Sequence, residues 1–124
     1  MANQIDDWAW KYRPLIIVAP DDANEDLADQ RDILSRLEPQ LRDRDMVVIE
    51  VIGKRVVTVL GPDTKIGASA LKEHIRTDGN GFELVLLGKD TGVKLRSDKP
   101  VRADRLFSLI DSMPMRRREM MRDS

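Results

Sequence analysis

The chain has 124 residues, 41% of them hydrophobic and 35% charged, with a formal net charge of −1. That length suits one domain that buries roughly two-thirds of its unfolded surface without disulfides or metals. With no cysteine and a single histidine, a disulfide scaffold, a thiolate nucleophile, a Cys-ligated zinc site, an iron–sulfur cluster and a His-rich metal site are excluded.

Trp8, Trp10 and Tyr12 share strand-like spacing, which suits an N-terminal strand or arm packed on a sheet before it suits a ligand platform. Residues 14–19 form a continuous apolar run between Pro14 and Pro20 and read as a buried strand. Asp21, Asp22 and Asn24 then offer capping side chains, and Glu25 and Asp26 place negative charge in a first helical turn. Leu27, Leu34, Leu37 and Leu41, with Ile33, give one apolar helix face that Pro39 should break or kink near its end. Residues 46–52 are a second buried strand, so strand, crossover helix and strand predict a right-handed βαβ unit.

Gly53-Lys54 marks a turn into a short antiparallel strand at 55–60. Ala68, Leu71 and Ile75 predict a short helix over 67–77, stopped by Asp78-Gly79-Asn80-Gly81. A third buried strand at 82–87, a tight turn at 89–92 and a half-solvated strand at 93–96 follow. After Pro100, Leu106, Phe107 and Ile110 define the core face of a last helix. The order βαβ–α–ββα, with the extra strand at 55–60, predicts an α/β thioredoxin-like fold: a central mixed sheet with helices packed on its faces. It is expected as one domain over 1–124, with an ordered core of about 8–115 and a mobile tail at 116–124.

No apolar run approaches the roughly 20 residues needed to span a bilayer. The start, Met1–Asp7, has neither the basic residues nor the apolar core of a signal peptide. The expected location is cytoplasmic as written, or periplasmic or secreted if Met1 stands where a leader was removed.

Two strings carry a family likeness: Gly88-Lys89-Asp90-Thr91-Gly92-Val93-Lys94-Leu95-Arg96-Ser97, and Leu109-Ile110-Asp111-Ser112-Met113-Pro114-Met115-Arg116-Arg117-Arg118-Glu119-Met120. With a weaker match at Trp10 and Arg13-Pro14-Leu15, they make the chain resemble the domain of unknown function 4174 family over roughly residues 8–120. That family is the prokaryotic branch of thioredoxin-like domains also found in sushi-repeat-containing and coiled-coil-domain-containing extracellular proteins. The resemblance implies a thioredoxin-like fold, frequent export, no assigned activity, and no catalytic residues to transfer.

Thioredoxin-like redox proteins keep a cysteine at the N-terminus of the first helix, where backbone N–H groups and the helix dipole stabilise a thiolate. Here that position reads Pro20-Asp21-Asp22, and the proline expected before the third strand is missing at Asn80-Gly81-Phe82. Thiol–disulfide chemistry is therefore not expected. Lys89, Lys94 and Arg96, at the Gly-bounded turn, read either as an anion cradle or as the wet face of an edge strand. Arg116, Arg117 and Arg118, among Met113, Met115, Met120 and Met121, read either as a docking segment or as solvated charge on a frayed end. Residues 1–62 carry a net −4 and residues 63–124 a net +3. Without stacking aromatics, that basic half is a thin basis for nucleic-acid binding.

The acidic group Asp21, Asp22, Glu25 and Asp26 reads as capping before it reads as a divalent-metal site. His74 reads as structural or solvent-facing before it reads as a general base. The expectation is a redox-inactive module, monomeric or weakly oligomeric, that binds a protein partner and uses no cofactor. Polyanion binding through the basic half and carboxylate-based enzymology are the rivals.

Overall fold

A computed structural model describes residues 8–122. Strand β1 (Arg13–Ala19) lies at the centre, buried at every residue. It pairs in parallel with β2 (Met46–Ile52) and antiparallel with β4 (Glu83–Leu87). β3 (Arg55–Leu60) returns along β2, and β5 (Val93–Ser97) along β4, giving the sheet order β3-β2-β1-β4-β5. The architecture is α/β, with a five-stranded mixed sheet.

Helices cover both faces of the sheet. On one, Leu15, Ile17, Val48 and Leu84 meet Leu27 of α1 (Glu25–Leu34), Leu41 of α2 (Glu38–Asp43), and Leu106 and Ile110 of α4 (Ala103–Asp111). On the other, Ile16, Val18, Ile49 and Val85 meet Leu71 and Ile75 of α3 (Ala68–Ile75), together with Trp8. The continuous apolar strands follow from this double coverage, since neither face of β1 or β2 meets water. Burial of each large aliphatic side chain contributes about 1.5–3 kcal/mol. Gln30 of α1, fully buried, donates to the Val101 carbonyl (3.1 Å) and accepts from the Val101 N–H (2.7 Å). It thereby pins α1 to the segment that leads into α4.

Four local features depart from the sequence expectation. The predicted helix with a kink at Pro39 is two helices: Ser35 ends α1, Arg36 takes a left-handed φ of +67°, and Pro39 falls in the first turn of α2. Proline fits there because a first-turn N–H has no helical partner to lose. The short helix ends at Ile75, two residues early, because Arg76 adopts a left-handed C-cap (φ +57°). Residues 8–12 form a turn rather than a strand, with Lys11 and Tyr12 both donating to the Trp8 carbonyl. Trp8 is buried and Tyr12 half-buried, but Trp10 is 66% exposed. Finally, a fifth helix, α5 (Pro114–Arg122), occupies most of the segment expected as a mobile tail. Charged groups, not an apolar stripe, hold it down.

Candidate functional site

The six basic residues singled out by the sequence occupy three different settings. Lys89 and Arg116 are buried. Lys89 Nζ bonds Asp45 Oδ2 (2.8 Å) and Glu119 Oε2 (2.9 Å). Arg116 bonds the Asp43 carboxylate (2.6 Å) and carbonyl (2.9 Å), and Asp111 (3.1 Å). Arg13, only 1% exposed, forks onto both Glu119 oxygens (3.1 and 3.2 Å) and donates to the Arg44 carbonyl. Arg44 forks onto Asp111 (2.9 and 3.1 Å) and lies 4.1 Å over the Phe107 ring. Four cations and four carboxylates thus close a network that fastens α5 to the start of β1, the α2–β2 turn and the β4–β5 turn. Lys89 and Arg116 are engaged inside the fold, where a partner would have to break several charge-assisted bonds to reach them.

The network sets its own protonation. Burial alone would raise the Glu119 carboxyl, but the bonds from Arg13 and Lys89 outweigh it and hold the group below its ordinary range. Asp111 is likewise lowered: desolvation opposes ionisation, and Arg44 with Arg116 overcomes it. Arg116 is raised, because Asp43 and Asp111 outweigh the desolvation of its charge.

Lys94 and Arg96 lie on β5 and are also satisfied. Lys94 pairs with Asp90 (2.9 Å), whose other oxygen accepts from the Gly92 N–H (2.9 Å). The Lys94 bond, then the Gly92 bond, hold the Asp90 carboxyl low. Arg96 bonds Glu83 and the Ile75 carbonyl. The turn therefore presents internally neutralised charge, as an edge strand does when it must not pair further.

Arg117 and Arg118 differ. Both are exposed on α5, and with Arg122 they make no side-chain ion pair among the described residues. Arg118 and Arg122 border a groove of about 580 Å³ with Trp10, Met115 and Met121, and the Lys89–Glu119 pair of the network forms part of its lining. Trp10 stands beside it at φ +67°, its N–H donating to the Lys89 carbonyl (2.6 Å). A left-handed conformation costs a non-glycine residue about 1–2 kcal/mol, so an exposed indole is being held at a backbone cost.

A second concavity, of about 370 Å³, lies between the α1–α2 connection and strands β2 and β3. Its lining includes a residue that sequence reasoning missed. Glu50, with its side chain 5% exposed, accepts two bonds from Arg31 (2.8 and 2.9 Å). The Glu50 bond raises the Arg31 guanidinium. A signal was present: in Met46-Val47-Val48-Ile49-Glu50-Val51-Ile52 the carboxylate shares strand parity with core-facing Val48 and Ile52.

The exit of β1 carries no gathered chemistry. Asp21 accepts from the Ala23 N–H (2.9 Å), Asn24 caps α1 through the Leu27 N–H (3.0 Å), and Asp22 pairs with Arg55 (2.7 Å). His74 Nε2 contacts the Thr91 carbonyl (3.2 Å). Among the described residues, no three His, Asp or Glu side chains converge as a metal set, and no helix is long and apolar enough to cross a membrane.

The model of the family described as Domain of unknown function (DUF4174) matches residues 4–119. The chain belongs to that family. No curated protein and no solved structure matched it. In this DUF4174 domain, the two strings that carried the likeness meet in the ion network: Lys89 of the first bonds Glu119 of the second. Asp111 and Arg116, both in the second string, are its other members on the C-terminal side.

Proposed function

We propose that this DUF4174 domain is a redox-inactive, thioredoxin-like interaction module that binds an acidic segment of a partner protein along α5. Two features support the fold reading. Strands β2-β1-β4-β5 run in the order expected of a βαβ–ββα core, and α1 and α4 cover one face while α3 covers the other. Redox inactivity rests on chemistry, since thiol exchange needs a thiolate and the chain has no cysteine.

One observation carries the binding reading: the exposed Trp10 shares a groove with Arg118 and Arg122, which make no side-chain ion pair among the described residues. Tryptophan and arginine dominate binding hot spots, because one buries a large rigid surface and the other forks onto carboxylates. Arg13, Lys89 and Arg116 around α5 are paired, so the arginines without an ion pair among the described residues mark the face left for a partner. The strained Trp10 backbone points the same way, since strain of this kind gathers at functional sites.

The test uses an array of Asp/Glu-rich peptides, each with one apolar anchor, while the two indole N–H signals of the protein are followed by NMR. Binding should shift Trp10, leave Trp8 in place and weaken with salt. Arg117→Glu with Arg118→Glu and Arg122→Glu should abolish it without loss of fold. Peptides that bind the triple variant as well as the parent would sink the reading. Deleting residues 113–124 is a poor substitute, because it also removes Arg116 and Glu119 from the network.

A further inference from the structure

We propose that the cleft between the α1–α2 connection and strands β2 and β3 is a binding site for a small amphipathic monocarboxylate, with its apolar body against the sheet and its carboxylate at Arg36. The cleft shares no lining residue with the Trp10 groove, so it is a separate site.

Its size, about 370 Å³, lies in the range of small-ligand pockets, which are typically about 300–1,000 Å³ and mostly apolar with a few convergent polar groups. Ile17, Val48 and Leu60 from the sheet, and Leu34 and Leu41 from the helices, supply the apolar lining. Glu50 supplies the buried polar group. A carboxylate at a core-facing strand position is an expensive choice, since the Glu50 side chain is 5% exposed while the Arg31 that neutralises it is 43% exposed. The carboxylate also has room for about four hydrogen bonds, and Arg31 fills two. Arg31 and Glu50 therefore make a polar boundary beside the aliphatic wall of Ile17, Val48 and Leu60.

The charge balance selects the ligand. Four charged residues line the cleft: Arg31, Arg36, Glu38 and Glu50. Arg31 is neutralised by Glu50, and Glu38 by Arg42 at 2.7 Å. Arg36 alone is uncompensated, since it makes no side-chain ion pair or hydrogen bond among the described residues. Its backbone sits at φ +67°, so the connection that presents this guanidinium is itself held in a costly conformation. A cationic or dianionic head would be mismatched to a cleft in which Arg36 is the one charge not paired among the described residues. A monocarboxylate on a medium-length alkyl or aryl body matches both the lining and the charge.

The test is an NMR titration of the full chain with decanoate, decanol and decylamine below their aggregation limits, following the Leu34, Leu41, Val48, Val59 and Leu60 methyls. Decanoate should saturate with shifts confined to those methyls and bind at least tenfold tighter than decanol, with decylamine weaker still. Arg36→Glu, on an exposed residue, should keep the folded spectrum and reduce decanoate to the decanol level. Leu34→Trp, which fills the cleft, should weaken decanoate and decanol alike. Equal affinity for decanoate and decanol, shifts spread outside the cleft, or an Arg36→Glu variant with undiminished decanoate binding would each overturn the proposal. So would binding to zwitterionic lipid vesicles without binding to decanoate, because the acyl chain would then be taken from a membrane.

Discussion

Glu119 receives Arg13 and Lys89 at 2.9–3.2 Å while almost enclosed, so its charge is what keeps two buried cations acceptable. Glu119→Gln preserves shape and removes that charge, and should cost about 3 kcal/mol of stability in urea unfolding, as breaking a buried pair does. Because the Glu119 and Asp111 carboxyls are lowered in the folded state, the unfolded chain takes up protons first as the pH falls. Their contribution is full above the ordinary carboxylate values of about 4 to 4.5 and is lost as the pH drops through the lower folded values. Stability measured from pH 6 to pH 2 should therefore fall, with a shallower slope in Glu119→Gln. The Arg31–Glu50 bridge should behave differently. Glu50→Gln alone destabilises, whereas Arg31→Met with Glu50→Leu should leave stability within about 1 kcal/mol of the parent, because Glu50 is buried while the Arg31 side chain is 43% exposed and keeps much of its hydration. At this scale the sequence was least legible. Three consecutive arginines look alike as letters, and only the placement of α5 sends Arg116 inward and leaves Arg117 and Arg118 in water. Met113, Arg116 and Glu119 do share a helical face, but a stripe of mixed charge has the pattern of a solvated surface.

The strands and most helices were legible because each is marked by a strong local signal: an unbroken apolar run over residues 14–19 of β1, an apolar run interrupted only by Glu50 in β2, the 68–71–75 spacing for α3, and a Gly-bounded turn between β4 and β5. The misread elements turn on local backbone geometry. Pro39 lies in the first turn of a helix rather than near the end of one, and left-handed Arg36 and Arg76 have no sequence mark comparable to glycine. Gly61 is the opposite case, a glycine whose role is explicit. At φ +104° it closes β3 against β2, and an added Cβ would sit 2.3 Å from Val47 Cγ1. Gly61→Ala should therefore destabilise by more than about 1 kcal/mol, since both the backbone and the packing resist it. Thermal and urea unfolding of that single variant would check it.

For the whole molecule, the hydrophobic sheet and its helices account for the fold, and the ion network accounts for how the C-terminal helix is attached. A chain ending at Ser112 keeps every residue of the apolar face except Met113, yet leaves Arg13 and Lys89 without Glu119. It should be less stable than Glu119→Gln in the same urea titration, because the Arg116 bonds to Asp43 and Asp111 are lost as well. The chain has no cysteine, and its basic residues around α5 divide into those that the fold has used, such as Lys89 and Arg116, and those without an ion pair among the described residues, such as Arg117 and Arg118. The most direct test of that division is photo-crosslinking with a photoreactive residue in place of Trp10, against the same residue in place of exposed Arg105. Position 10 should yield adducts through Asp/Glu-rich segments of a partner, lost at high salt and in the Arg117, Arg118 and Arg122 triple variant. Adducts that survive the triple substitution, or form equally at position 105, would contradict an arginine-lined docking face.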